Sequence, residues 1–185
     1  MGNWYNNMTT LGPPQAEVAA WCARHDRHVY VTPTRGGITV VFDRDVDRAA
    51  DPGELGDLAL LASHELGCPV LAAAVYDDDA LLLALYEGGR QVGEYNSAGR
   101  STLEAAALCR AFDARARTPL VWLVLNSPRL PLFLFESFRH RALMRALKQP
   151  LWAVASGYAY IARGERPDDL EESELLRVDG GRAER

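Results

Sequence analysis

Lysine is nearly missing from this chain: Lys148 stands alone among 20 basic residues, so arginine carries almost all of the positive charge. Cysteine is scarce too. Cys22, Cys68 and Cys109 are odd in number, widely spaced and set among apolar neighbours, which excludes a disulfide framework and predicts buried free thiols. The opening residues MGNWYNNMTT carry neither the basic cluster nor the apolar stretch of a secretory signal, and Asn6 stands where myristoylation after Gly2 requires Ser or Thr. The expectation is a cytoplasmic protein with no membrane attachment. P-loop, G-x-G-x-x-G and G-x-S-x-G patterns are all missing, and no repeat recurs at a fixed period. A net charge of -5 argues against a dominant attraction to nucleic acid or anionic lipid.

What is present is an ordinary globular composition, 185 residues with 48% hydrophobic and 24% charged side chains, which predicts one domain with an elaborated C-terminal part. Residues 3–11 read as a first strand. In GPPQAEVAAWCARH, Pro14 opens a helix that places Val18, Trp21, Cys22 and His25 on one face. HVYVTP and ITVVFD are β-branched runs joined by TRGG, the pattern of a hairpin. DPGELGDLALLASHELGCP then supplies Asp51 as N-cap, Pro52 at the first helical position, an apolar stripe through Leu55, Leu58, Ala59, Ala62 and Leu66, and Gly67 as the stop.

VLAAAVY and LLLALY are continuous apolar runs, so both faces of those strands are expected to be covered. Asp77, Asp78 and Asp79 between them must leave the core as an exposed turn, because an unpaired buried carboxylate is very costly. Gly88-Gly89 makes the next hairpin, with Glu87 and Arg90 placed as a cross-strand ion pair. The expected class is α+β: an antiparallel sheet with a ferredoxin-like βαββαβ start, extended by a β-meander and followed by a helical C-terminal part. Ser101 and Glu104 predict a capping box ahead of Leu108 and Phe112, and residues 133–147 and 150–163 predict two more helices. One domain is expected over 1–164, sheet-rich to 97 and mainly helical from 98, with 165–185 an acidic, exposed tail.

Two blocks, VYDDDALLLALYEGGRQVGEYNS and HRALMRALKQPLWAVASGYAYIARGERP, resemble a family of uncharacterised bacterial proteins. In that family an aspartate-rich hairpin ends in Y-N-S, and a later helical block ends in a G-Y-x-Y-I-x-x-G-E-x-P-like string. The resemblance implies no particular activity.

Four groups of residues carry the functional expectations. Trp122, Phe133 and Phe135 lie in an apolar segment, 119–135, that Asn126, Pro128, Arg129 and Pro131 make too broken to span a bilayer, and aromatic residues of this kind anchor interfaces. Asp77, Asp78, Asp79 and Glu94 could supply oxygen ligands to Ca²⁺ or Mg²⁺, which would make the chain a metal-dependent hydrolase. Arg129, Arg141, Arg145 and Lys148 form a basic face that could meet phosphates. Cys22-x-x-His25-x-x-His28 lacks the second chelating pair that zinc requires. The favoured expectation is a non-catalytic binding or protein-interaction module, with a protein partner or a homodimer and no cofactor. The metal-dependent hydrolase is the alternative, and a nucleic-acid-associated protein is the weaker one.

Overall fold

The computed structural model of the protein describes residues 2–49, 51–129, 132–180 and 183–184. The elements run β1 (Tyr5–Leu11), α1 (Gln15–Arg24), β2 (His28–Val31), β3 (Ile38–Asp43), α2 (Arg44–Ala49), α3 (Pro52–Glu65) and β4 (Val70–Tyr76). Then come β5 (Ala80–Glu87), β6 (Arg90–Asn96), α4 (Ala105–Ala111), α5 (Thr118–Asn126), α6 (Glu136–Ala146), α7 (Tyr158–Ala162), β7 (Leu176–Asp179) and β8 (Ala183–Glu184). The fold is α+β. One antiparallel sheet holds the strands in the order β6-β5-β4-β1-β3-β2-β7-β8. Its middle, β4-β1-β3-β2, has the strand order of the split βαβ pattern, and β5 and β6 extend it as the expected meander.

Side-chain alternation divides the sheet between two cores. Met8, Val31, Val41, Val70 and Ala72 face α1 and α3, where Val18, Trp21, Cys22, Leu58 and Ala62 close the layer. Tyr5, Val40, Phe42, Leu71, Leu83 and Leu85 face the other way, against Leu108, Val121, Leu143 and Trp152 from the C-terminal helices. That explains the unbroken apolar run of β4, buried on both faces, whereas β5 departs from the expectation: Leu83 and Leu85 are buried on one face while Leu82 and Ala84 on the other are only half-buried. Asp51 caps α3 by accepting the Gly53 N–H at 2.8 Å, as its position before Pro52 predicts. Gly88 and Gly89 turn the β5–β6 hairpin at φ 56° and 74°.

Several local expectations give way. Glu87 and Arg90 face each other in register, yet Glu87 pairs with Arg110 at 3.5 Å because α4 packs beside that hairpin. The capping box does not form: Glu104 is the N-cap of α4 without a side-chain bond, and Ser101 Oγ donates to the Glu94 carbonyl at 3.1 Å. Residues 150–163 make a single turn at Leu151–Ala153 and the short α7 rather than one helix. Gly157 divides them, and a Cβ there would lie 3.3 Å from both Tyr5 and Asp47. Asp47 takes up the Ala159 N–H at 3.1 Å, so the sheet-side helix α2 caps α7 from outside. The stretch expected as an exposed tail also joins the fold. β7 pairs with β2 along Val29↔Val178, and Val178 and Leu170 are buried.

Candidate interaction surface

Pro119 in the first turn gives α5 a start that needs no N–H donor, and the helical period then sorts the run that follows. Val121, Val124 and Leu125 fall on the face turned to the sheet and are buried. Leu120, Trp122 and Leu123 fall on the opposite face, with Trp122 58% exposed. The outer side of the helix is therefore as apolar as the inner one. The next segment repeats the theme, since Leu132, Leu134, Phe135 and Phe138 are exposed as well, Leu132 at 63%. Phe135 and Phe138 meet edge to face with centroids 5.5 Å apart.

A buried ion pair holds this surface in shape. Arg139 and Glu136, both on α6 and both at most 2% exposed, bond at 2.8 Å through Nε and Oε2. Arg139 Nη1 donates to the Val124 and Ser127 carbonyls, each at 2.8 Å. Those carbonyls belong to the last turn of α5 and its C-cap, where the backbone lacks intrahelical partners and favours a cation. The guanidinium lies 4.5 Å from the Phe133 ring centroid. Phe133 is accordingly half-buried under Arg139, so of the three expected anchors only Trp122 and Phe135 face outward. Phe133 instead packs inward against the core beneath the Arg139 guanidinium. Leu120, Leu123 and Phe138 were not singled out from the sequence, although a helical wheel begun at Pro119 separates the first two from the buried positions.

The aspartate turn supports the same region. Asp77 and Asp78 have φ of 50° and 56°, left-handed geometry that Asp tolerates better than most residues. Asp77 and Asp79 are exposed as expected, but Asp78 is 5% exposed. Its carboxylate accepts N–H groups from Asn3 at 2.8 Å and Ser137 at 3.2 Å and the Asn3 side-chain amide at 2.9 Å, while its carbonyl accepts the Glu136 N–H at 3.0 Å. Four donors offset its burial, and two of them are free N–H groups at the start of α6. Asp78 thus caps α6 from another element.

This arrangement leaves the metal reading without a ligand set. Asp77 accepts from the Gly2 N–H at 2.8 Å, Asp79 pairs with Arg129, and Asp78 is spent on backbone donors. Glu94 pairs in register with Ala84, four residues along β5 from the turn, a separation of about 13 Å at strand rise. Among the described residues no three His, Cys, Asp or Glu side chains are placed to share an ion. The zinc spacing fares likewise: Cys22 is a buried thiol pushed up to about 12 by desolvation, His25 bonds Glu65 at 2.6 Å, and His28 bonds Arg44 at 3.1 Å.

The basic face is also interrupted. Arg129 is engaged by Asp79, and Arg141 meets Asp168 at 2.9 Å. Lys148 lies past the end of α6 at φ 58°, so it does not continue a stripe from Arg141 and Arg145. Among the described residues no helix is long and apolar enough to cross a membrane. Comparison with protein-family models, with curated proteins and with solved structures gave no match.

Proposed function

We propose that this protein is a non-catalytic interaction module, acting in the cytoplasm, that associates through the outer face of α5 and the neighbouring 132–138 segment. The observation that carries the reading is the set of seven large apolar side chains, Leu120, Trp122, Leu123, Leu132, Leu134, Phe135 and Phe138, all at least 41% exposed. Isolated exposed apolar residues are ordinary, but a run of this kind on one helix and the adjoining segment fits an interface core. Aromatic anchors flanked by aliphatic residues supply most of the affinity where interfaces have been dissected. The Arg139 clamp adds preorganisation, which lowers the ordering cost of association.

A second copy of the chain is the occupant proposed, because it is always present at equal concentration and an isologous contact lets one apolar face cover another. The test is association by the double variant Trp122→Asp, Phe138→Asp. It should remain folded and lose self-association, since an interface core rejects an unpaired charge. Unchanged association of that folded variant would remove this face from the proposal.

A further inference from the structure

On the opposite side of the sheet from α5, helix α1 packs on β2 and β7 and helix α3 on β4, β1 and part of β5, and beside α3 the face of β5 and β6 that carries Leu82, Ala84 and Glu94 stays partly open. A groove of about 630 Å³ results, walled by α3 on one side. Its floor follows the strand register in three rungs: Ala74, Leu82 and Asn96; Ala72, Ala84 and Glu94; then Tyr86 and Gln91. Alanines on two rungs keep its floor low, Gly56 in the wall leaves room for the Tyr86 hydroxyl, and its size is that of a small-molecule site.

The groove has polarity. Asn96 stands at one end, joined there by Arg100 just beyond the turn that follows β6, and Arg100 has no ion-pair or hydrogen-bond partner among the described residues. Glu94 stands on the middle rung and Gln91 on the far one, from which the Gln91 amide donates to Glu94 Oε2 at 3.1 Å and holds that carboxylate in place. Tyr86 rises from the floor beside them. Its side chain is buried to within 6%, its hydroxyl has no hydrogen-bond partner among the described residues, and it points at Gly56, where a Cβ would come within 2.8 Å of the oxygen. The hydroxyl thus lies against the α3 wall at the edge of the groove with its donor and acceptor unmatched.

We propose that this groove binds a short zwitterionic peptide of two or three small apolar residues, its carboxylate on Arg100 and Asn96, its ammonium on Glu94, and its length lying across the two rungs floored by Ala74, Leu82, Ala72 and Ala84. The rungs of Asn96 and Glu94 are two residues apart, about 7 Å at strand rise, and the long Arg100 side chain extends the span to the length of such a peptide. The opposite charges of Arg100 and Glu94 select the orientation, and the alanine floor selects small side chains. The site is separate from the α5 face and does not depend on it.

The probe is the tripeptide Ala-Ala-Ala, titrated calorimetrically into the full chain beside its N-acetylated and C-amidated forms. The free peptide should give a saturable heat in the millimolar range or below, and either cap should weaken it by about tenfold, the loss of one charge-assisted hydrogen bond. Arg100→Gln should abolish the penalty of amidation and Glu94→Gln that of acetylation, both from exposed positions that leave the fold intact. Tyr86→Phe should weaken the free peptide several-fold. No heat with the free peptide, equal binding of free and capped peptides, or variants that bind as the wild type does would each overturn the proposal.

Discussion

At the scale of single residues, Asp78 shows how one carboxylate can belong to the fold rather than to a site. It turns the chain between β4 and β5, ties down Asn3 and caps α6. Asp78→Ala should therefore lose about 2–4 kcal/mol in urea denaturation, because charge-assisted bonds to buried donors and a cap are lost together, while Asp79→Ala should lose under about 1 kcal/mol. A similar loss for both would mean that the turn alone matters. His140 makes a second case. It shares a 2.9 Å hydrogen bond with the Tyr5 hydroxyl, has no partner at Nε2 among the described residues, and is pulled down to about 4 by desolvation. The folded chain keeps His140 neutral where the unfolded chain takes up a proton near pH 6.5, so its share of stability is complete above that pH and lost as pH falls towards 4. Denaturation at about pH 7 and about pH 5 should differ by roughly 2 kcal/mol more in the wild type than in His140→Gln. Equal pH dependence in the two proteins would contradict a neutral, buried His140.

At the scale of elements, α5 is the informative case. Val121→Asp places a charge in the core and should unfold the domain, whereas Trp122→Asp or Leu123→Asp should change stability by less than about 1 kcal/mol, read from circular dichroism on heating. If all three unfold it, the outer face is core. The sequence run TPLVWLVLN was apolar at so many positions that periodicity alone left helix and strand unresolved. Only the sheet packed against one side of it makes Val121 and Val124 inner and Trp122 outer. By contrast α3 was legible from its cap, its stripe and its glycine stop, because each of those signals acts within a few residues. What escaped were long-range events: Arg139 closing α5, Asp78 closing α6, and Glu87 turning from Arg90 to Arg110. No local pattern encodes partners that lie 12 to 59 residues apart.

At the scale of the whole molecule, the split βαβ order was readable because alternating strand and helix signals fall in sequence, while the destination of the acidic stretch was not. Its charges read as solvent-facing, yet Val178 pairs with Val29 and fills the core above α1. Val178→Ala should cost about 2 kcal/mol in urea denaturation, as a buried truncation does. No cost would return residues 176–179 to a solvated tail.

The two cores lie on the two faces of the sheet, and the apolar outer side of α5 and the 132–138 segment stay exposed, which is the surface proposed for self-association. Sedimentation velocity over a concentration series, run on the wild type beside Trp122→Asp, Phe138→Asp, addresses that directly. The account requires the wild type to move from the 20.4 kDa monomer to a dimer as concentration rises through the micromolar range, with the double variant staying monomeric and folded. A wild type that sediments as a clean monomer throughout would contradict it.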